Sequence, residues 1–225
     1  MYEAPNEEGM WFSFEYDRGK HTTVSIVVAV LGASGSGKSN LVASLAPKML
    51  DATIAVLRVD DYYRDLAHLS FEERDAINFD HPDAIEFERL VDDLASLKSG
   101  QEVLTPVYDF TQHTRSALSQ SVPPADIILL EGVLAMSDSA TRKLVDYTIF
   151  VDTPLELCLA RRIDRDAVQR GRSEASVRDF WETRAEPMFV QFVAPWLSDA
   201  DLVIDGSQTI DDELSRVGDW LQALI

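Results

Sequence analysis

The stretch 32–39 reads Gly-Ala-Ser-Gly-Ser-Gly-Lys-Ser and fits the phosphate-binding pattern G-x-x-x-x-G-K-[ST] at every fixed position. Its glycines let successive backbone N–H groups point at phosphate oxygens. In this pattern Lys38 reaches the β- and γ-phosphates of a nucleotide, and the hydroxyl of Ser39 binds Mg²⁺. We therefore predict a site for a nucleoside triphosphate with Mg²⁺. The residues that form it are Gly32, Ala33, Ser34, Gly35, Ser36, Gly37, Lys38, Ser39 and Asn40.

The flanking sequence places this loop between a strand and a helix. Residues 22–31 are β-branched and apolar enough for a buried parallel strand, and residues 40–50 carry apolar side chains at helical spacing. The positive end of the helix dipole would then face the phosphates. The alternative is a Gly/Ser loop that merely connects two elements, and the order strand, loop, helix disfavours it.

Acidic residues close two further predicted strands. Residues 53–59 are followed by Asp60, and residues 125–130 are followed by Glu131. Because ligands of open α/β sheets lie beyond the carboxyl ends of the strands, both carboxylates are expected near the phosphates. Asp60 is the candidate to accept or orient the proton of a substrate hydroxyl, although this stretch alone favours a solvated acidic turn equally. Glu131 is the candidate second Mg²⁺ ligand, acting through water.

Arginine is concentrated in one part of a strongly acidic chain. The net charge is −19, yet seven of the fifteen arginines lie in residues 161–184. Arg162 and Arg165 are three residues apart and share a helix face. We predict a mobile lid whose arginines bind phosphates and stabilise transition-state charge. The alternative is a solvated helix whose arginines pair with its own acids, Asp164 and Asp166 among them.

Residues 102–110 alternate in polarity and contain a proline, which predicts an edge strand or a hairpin. Tyr108, Phe110 and His113 could form a wall for a planar ring, with a hydrogen bond from the imidazole. From these residues alone, we favour the alternative that the aromatic side chains only attach the hairpin to the sheet.

Local signals also predict two helix starts. Asp83 follows Pro82 and is expected to cap a helix that runs to about residue 98. Thr153 is expected to cap the arginine-rich helix, with Pro154 at the first position and Glu156 completing a capping box.

Composition limits the class of protein. The 225 residues, 46% of them hydrophobic, suit one domain with a sizeable core, and the charge of −19 disfavours nucleic acid and anionic membranes as partners. The single cysteine, Cys158, lies among leucines and is expected to be a buried apolar residue rather than a nucleophile. Because no apolar stretch is long enough to span a membrane and no signal peptide is evident, we expect the cytoplasm. The sequence is compatible with a homo-oligomer but does not specify one.

Several motifs together resemble the uridine (uridine–cytidine) kinases of the P-loop nucleoside kinase group. The resemblance covers about residues 24–204, and its most specific piece is Pro-Val-Tyr-Asp-Phe-Thr-Gln-His-Thr-Arg at 106–115. The other pieces are the loop at 32–39, Asp-Asp-Tyr-Tyr-Arg at 60–64, Asn-Phe-Asp-His-Pro-Asp-Ala at 78–84, Glu-Gly at 131–132 and Arg-Arg-Ile-Asp-Arg-Asp-Ala-Val-Gln-Arg-Gly-Arg at 161–172.

The resemblance implies roles for individual residues. Asp60 would be the catalytic aspartate near the 5′-hydroxyl of a nucleoside, Tyr63 would lie beside it, and Asp80 would hold the ribose hydroxyls. With Lys38, the lid would stabilise the transferring phosphoryl group. Residues expected to contact the base are Tyr108, Phe110 and His113, and those expected to hold phosphates and substrate from the lid are Arg162, Arg165 and Arg172. The resemblance thus favours functional interpretations of the Asp60 turn and the hairpin.

The chain departs from the family pattern at three places. Phe180 stands where members commonly have a Gln that touches the nucleoside, which bears on the choice of base. Residues 194–199 lack the usual basic residues, and residues 205–209 lack the usual Asn, which bears on the binding of the adenine and the donor.

We therefore predict an α/β fold of three layers, the P-loop NTPase fold, with a parallel sheet, a small β-hairpin insertion and a helical, arginine-rich lid. Residues 1–225 would be a single kinase domain, with 1–20 an N-terminal extension, 101–120 the hairpin for the base and 154–185 the lid. It would transfer the γ-phosphoryl group of ATP or GTP to the 5′-hydroxyl of uridine or cytidine, in pyrimidine salvage. The alternatives are a kinase for another small molecule, such as a phosphoribulokinase-like enzyme, and a nucleotide-dependent regulatory binding protein.

Overall fold

The computed structural model describes residues 25–49 and 52–225. Its strands are β1 (Ile26–Leu31), β2 (Ile54–Arg58), β3 (Val103–Asp109), β4 (Thr114–Val122), β5 (Ile127–Glu131), β6 (Tyr147–Asp152) and β7 (Leu202–Asp205). Its α-helices are α1 (Lys38–Leu45), α2 (Phe71–Asp75), α3 (Phe87–Lys98), α4 (Ser139–Arg142), α5 (Leu155–Arg170), α6 (Glu174–Phe180), α7 (Glu186–Phe192) and α8 (Ile210–Gln222). The predicted extension at 1–20 lies outside the described residues.

Five strands form one parallel sheet in the order β2-β5-β1-β6-β7. β1 lies at its centre, between β5 and β6. Helices cover both faces, which explains why β1, and β5 up to its last residue Glu131, are continuously apolar instead of alternating with polar residues. The parallel sheet that the sequence predicts is therefore confirmed.

The two faces of the sheet carry separate apolar clusters. One cluster joins alternate β1 side chains to α3, and it includes Val27 and Leu94. The other joins the remaining β1 side chains to α1 and α8, and it includes Val28, Leu41 and Val217. Successive β1 side chains thus point to opposite faces of the sheet and pack against a helix layer on each face. The predicted three-layer α/β architecture is confirmed.

Strands β3 and β4 form a separate antiparallel pair, with a register shift between Pro106 and Tyr108. This hairpin is attached to the main body by Arg115, which donates to the backbone carbonyl of Tyr62 and pairs with Glu86. The sequence predicted the hairpin, and the structure gives it a sheet of its own.

The cap predicted at Asp83 is wrong. His81 caps a single 3₁₀ turn at Pro82–Ala84, because its Nδ1 accepts the Asp83 N–H at 3.1 Å. The next residue, Ile85, is extended and forms an antiparallel bridge with Tyr63, so α3 begins only at Phe87. A tertiary strand contact therefore interrupts what the local sequence predicts as one helix.

The cap predicted at Thr153 is also wrong. Helix α5 begins at Leu155 without a side-chain cap, and the Thr153 hydroxyl donates to the carbonyl of Ser36 instead. The helix then continues without interruption through Arg170 and ends at Gly171, whose φ of 63° is left-handed. Cys158, on this helix, is buried as predicted, and burial raises the pKa of its thiol to about 11.

Across the part of the chain that the structure describes, none of the helices combines the length and the apolar character that crossing a membrane requires.

Candidate active site

The loop 32–39 follows β1 at the carboxyl edge of the sheet and leads directly into α1. Gly35 has φ +84°, and a Cβ atom there would lie 2.4 Å from the carbonyl oxygen of Cys158. Both the left-handed backbone and the close approach of α5 therefore require glycine at this position. Residues 34–40 line a cavity of about 450 Å³, the P-loop cavity, together with Asp60 and Arg165.

The carbonyl of Ser36 fixes the shape of this loop. Its oxygen accepts hydrogen bonds from Thr153 Oγ1 at 3.0 Å and from a terminal guanidinium nitrogen of Arg161 at 3.3 Å. In a planar trans peptide the C=O and N–H bonds point in opposite directions. Holding this carbonyl against Thr153 and α5 therefore turns the N–H of Gly37 to the side opposite these two donors.

Gly206 completes the support of the loop from behind. A Cβ atom on Gly206 would lie 2.0 Å from Thr153 Oγ1 and 2.6 Å from the Ser36 carbonyl oxygen. The Gly206 carbonyl also accepts from Arg161 at 2.9 Å. The sequence analysis assigned no such role to these residues. The position of Gly206, directly after a strand at the carboxyl edge of the sheet, is the signal that could have identified it.

Lys38, Ser39 and Glu131 meet at the base of the P-loop cavity. Glu131 Oε1 accepts from Ser39 Oγ at 3.0 Å and lies 3.9 Å from Lys38 Nζ, which itself donates to the carbonyl of Ala33 at 3.3 Å. Lys38 and Glu131 are only 6% and 7% exposed, and burial raises the pKa of the Glu131 carboxyl despite the nearby ammonium.

The oxygen pair of Ser39 and Glu131 fits Mg²⁺, which prefers one or two protein oxygens and completes its coordination with phosphates and water. No ready-made group of three acidic, His or Cys side chains competes for this role in residues 25–49 and 52–225.

Asp60 reaches the P-loop cavity because of the sheet register. Arg58, at the end of β2, is paired with Glu131, at the end of β5, so Asp60 lies just beyond the same edge. It stands in the 3₁₀ turn Val59–Tyr62. The carboxylates of Asp60 and Glu131 are thus close to each other, as the sequence predicts.

Asp61, the next residue, faces the hairpin instead. Its carboxylate accepts the backbone N–H of Tyr108, where the hairpin register shifts. Burial raises the pKa of Asp61 to about 6, against the opposing effect of the Arg58 guanidinium. The 3₁₀ turn therefore places Asp60 at the P-loop cavity and Asp61 against the hairpin.

A second cavity of about 410 Å³, the aromatic cavity, lies between the hairpin, α2 and the lid. Its lining includes Phe110 and His113, as predicted for the base, together with Arg172 and Phe180. Tyr108 is 5% exposed and lies behind this wall, with its ring centroid 5.2 Å from that of Phe110. The predicted contact of Tyr108 with a base is therefore not evident in the lining.

Tyr63 lies close to Asp60 and Asp80 and belongs to the aromatic cluster, in which the rings of Tyr63, Phe79, Tyr108, Phe110 and His113 pack on one another. The Tyr63 ring packs on Phe79 and Tyr108 at 5.3 and 5.1 Å, and burial with the neighbouring Asp60 and Asp80 carboxylates raises its pKa well above the ordinary value. Asp80 Oδ2 is buried and has no hydrogen-bond partner among the described residues. Such an acceptor is costly unless something binds to it, so Asp80 is a credible ligand contact.

The lid arginines converge on one carboxylate that is fully buried. Asp166 lies 2.8 Å from both Nε and a terminal nitrogen of Arg165, and 3.7 Å from Arg162 and Arg170. Arg162 also lies 3.7 Å from Asp80. Pairing with Asp166 was the alternative in the sequence analysis, but this acid is 0% exposed rather than solvated. Asp166 is thus shared by three arginines, and with Asp80 included the group of three cations and two carboxylates still carries a net positive charge.

Phe180 forms part of the lid's inner surface. The guanidinium groups of Arg162, Arg172 and Arg184 stack over its ring at 5.3, 5.3 and 4.9 Å. The aromatic ring thus organises cations by cation–π contact at the position where the resembling family commonly has Gln.

Replacing Asp61 by Asn tests the cost of burying this carboxylate. Its folded-state pKa of about 6 exceeds the ordinary 3.8, so the folded protein binds more protons than the unfolded chain between these values. The stability that this group contributes is greatest at low pH and is lost as the pH rises to about 6. We expect the free energy of unfolding of Asp61→Asn, relative to wild type, to increase from pH 5 to 7 and then stay level.

Urea unfolding of both proteins from pH 5 to 8 measures this difference. Because the Asn amide oxygen can still accept the Tyr108 N–H, the substitution removes the titrating group and keeps this hydrogen bond. Asp92→Asn, on the exposed side of α3, controls for the loss of one charge. A relative stability that does not change with pH for Asp61→Asn would contradict the prediction.

Comparison with known proteins places this architecture among kinases. The model of the Phosphoribulokinase / Uridine kinase family matches residues 27–212. Proteins named uridine kinase from Cronobacter sakazakii and Klebsiella pneumoniae are 40% and 42% identical over 183 residues, which cover 80% of this chain and 86% of each relative.

Solved structures agree on the fold. A putative fructose transport system kinase from Silicibacter superposes with a TM-score of 0.67 at 22% identity, covering 84% of this chain and 93% of its own. Phosphoribulokinase from Rhodobacter spheroides gives 0.61 at 18% identity, covering 82% and 73%. Together with the family match over most of the sequence, these similarities confirm the predicted resemblance, and this chain belongs to the phosphoribulokinase and uridine kinase family.

Proposed function

We propose that this chain is a nucleoside kinase that transfers the γ-phosphoryl group of ATP to the 5′-hydroxyl of uridine or cytidine. One observation carries the proposal: Asp60 lies in the P-loop cavity, and Tyr63, one turn further, belongs to the aromatic cluster next to the second cavity. A carboxylate at this junction can meet a hydroxyl of a molecule whose ring occupies the aromatic cavity. The family and the named relatives support the same reaction.

In the proposed reaction Asp60 orients the 5′-hydroxyl and accepts its proton. As the bond from the 5′-oxygen to the γ-phosphorus forms, the bond from that phosphorus to the β,γ-bridging oxygen breaks, and ADP leaves. Negative charge spreads over the oxygens of the phosphoryl group during this transfer. Lys38 and Arg165, which line the same cavity, would stabilise that charge.

Mg²⁺ bound through Ser39 and Glu131 would neutralise charge on the β- and γ-phosphates. The backbone N–H groups of the loop would hold the phosphates, since the Ser36 carbonyl is turned away from them. GTP is the alternative donor.

The acceptor side would hold the nucleoside by its two polar ends. Asp80, whose buried Oδ2 has no hydrogen bond among the described residues and lies 3.7 Å from Arg162, would accept hydrogen bonds from the ribose hydroxyls. Phe110 and His113 would contact the base, and Arg172 would bind from the lid. Arg162 would act from beneath Phe180, linking Asp80 to Asp166.

Release of ADP from ATP and Mg²⁺ with single acceptors tests this function. The acceptors are uridine, cytidine, adenosine, ribulose 5-phosphate and none, and GTP replaces ATP in a parallel series. We expect turnover with uridine or cytidine alone. Turnover only with another acceptor would keep the kinase and reject the pyrimidine assignment, whereas no turnover with any acceptor would favour a regulatory nucleotide-binding protein.

Replacing Asp60 by Asn tests the assignment of the base. The amide cannot take the proton, so kcat should fall by roughly a hundredfold or more. The dissociation constant for ATP, measured by calorimetry, should change little because the P-loop is intact. Asp92→Asn provides the matched control, with kcat expected to equal that of wild type. Unchanged turnover in Asp60→Asn would exclude Asp60 as the base.

Replacing Asp166 by Asn tests whether this carboxylate positions the lid arginines. The amide oxygen of Asn can still accept from Arg165, but the two contacts of 2.8 Å lose their ionic attraction, so the arginines are held less firmly and kcat should fall by roughly tenfold or more. Because a negative charge is removed beside the phosphates, the KM for ATP should stay the same or decrease. Asp164→Asn, on the exposed side of the same helix, should change neither constant. Equal kinetics for the two variants would reject the positioning role.

A further inference from the structure

The aromatic cavity has walls suited to a flat ring, but its polar groups decide which ring. Its volume of about 410 Å³ is within the range of small-molecule sites. Phe110 and Phe180 contribute apolar faces, and Phe180 has no hydrogen-bonding group. The polar edge of a base must therefore be recognised by other side chains of the cavity.

Asp75, the last residue of α2, is one of these side chains, and the sequence analysis gave it no role. Its Oδ1 lies 3.1 Å from a terminal nitrogen of Arg172 and 3.5 Å from His113 Nε2. The side chain is 54% exposed. Because both contacts involve Oδ1, Oδ2 retains its capacity to accept a hydrogen bond from a ligand.

His113, beside Asp75 in the aromatic cavity, is a second side chain that can accept a hydrogen bond. Burial, with the nearby Arg172 guanidinium, lowers the pKa of His113, so the imidazole is neutral at neutral pH. A neutral imidazole carries its proton on one ring nitrogen and leaves the other as an acceptor, and His113 Nε2 lies 3.5 Å from Asp75 Oδ1. The ring is fixed in place by stacking on Phe79 at 5.3 Å with 17° between the planes.

The arginines of the cavity are each partly engaged. Arg172 is paired with Asp75, and Arg184 donates to the backbone carbonyls of Ala76 and Ile77 at 3.2 Å. Arg170 also lines the cavity, stacks over Phe110 at 5.0 Å and lies 3.7 Å from Asp166. Each guanidinium keeps further N–H donors, whereas the Asp75 carboxylate, which contacts both His113 and Arg172, is a group that accepts from an amino donor and repels a carbonyl.

We propose that Asp75 determines the choice of pyrimidine by accepting a hydrogen bond from the exocyclic amino group of cytosine, so that this chain prefers cytidine to uridine. Cytosine has a 4-amino donor where uracil has a 4-carbonyl acceptor, and a carboxylate pairs with the amino group and repels the carbonyl. This inference depends on the proposed function, since it requires a pyrimidine nucleoside in the aromatic cavity.

The test is kcat/KM for cytidine and for uridine, measured separately for three proteins. Wild type should favour cytidine by about tenfold, the discrimination typical of a charged hydrogen bond to a base. Asp75→Asn, whose amide can both donate and accept, should bring the ratio close to one. Glu72→Gln removes the same charge from an exposed position of α2 that does not line the cavity, and it should keep the wild-type ratio.

A substrate variant gives an independent readout without mutation. The riboside of 2-pyrimidinone lacks the 4-substituent, so wild type should use it about as poorly as uridine. Because the Asn amide still accepts from the cytosine amino group, Asp75→Asn should also use this riboside less well than cytidine, but by a smaller factor than wild type.

The outcomes separate this inference from the proposed function. If neither pyrimidine nucleoside is phosphorylated by wild type, the proposed function itself is wrong. If both are phosphorylated but the ratio is the same in wild type and Asp75→Asn, only the role of Asp75 is wrong. Equal losses for cytidine and uridine would show that Asp75 merely ties α2 to Arg172, and a wild-type preference for uridine would also overturn the inference.

Discussion

The carbonyl oxygen of Ser36 accepts hydrogen bonds from Thr153 and Arg161, and the geometry of the phosphate-binding loop depends on this pair of contacts. The donors come from the ends of β6 and from α5, while Gly206 after β7 leaves room for them. Three neighbouring elements at the carboxyl edge of the sheet thus set the direction of one peptide group. A loop of glycines and serines would otherwise have many conformations, and ordering it would cost conformational entropy on each binding event.

Charge is arranged so that a very acidic chain can still bind anions. Most of the carboxylates lie on the surface, but Asp166 is buried among Arg162, Arg165 and Arg170. Without this buried partner the arginines would repel one another, so Asp166 stabilises the cationic site although it carries the opposite charge. The local excess of positive charge survives because the three arginines outnumber the two carboxylates of the group, Asp166 and Asp80.

Much of the fold and the identity of the phosphate site follow from the sequence, because both are encoded locally. The run of apolar residues in β1 and the spacing of Gly35, Lys38 and Ser39 involve neighbours in the chain. The caps at Asp83 and Thr153 were predicted wrongly for the opposite reason. Ile85 bridges to Tyr63, and the Thr153 hydroxyl bonds to a residue 117 positions away.

The same reason explains which site residues the sequence analysis missed. Asp75 belongs to no local pattern that indicates chemistry, and neither the arginine cluster around Arg161 nor the loop around Gly206 indicates that these two residues support the Ser36 carbonyl. The roles of all three arise from contacts with residues distant in sequence. Asp60, Phe110 and His113 could be proposed because strand ends and a family motif drew attention to them. Where a residue's function is to orient another residue, only the folded arrangement indicates it.

The hairpin and α2 both lie in the segment between β2 and β5, two strands that are adjacent in the sheet. The aromatic cavity draws one wall from this segment and its other wall from residues 170–184, whereas the P-loop and its supports come from the rest of the chain. The segment between Arg58 and Ile127 can therefore vary without altering the register of the central strands. One wall of the cavity can change in this way while the loop that fits the phosphate donor keeps its supports.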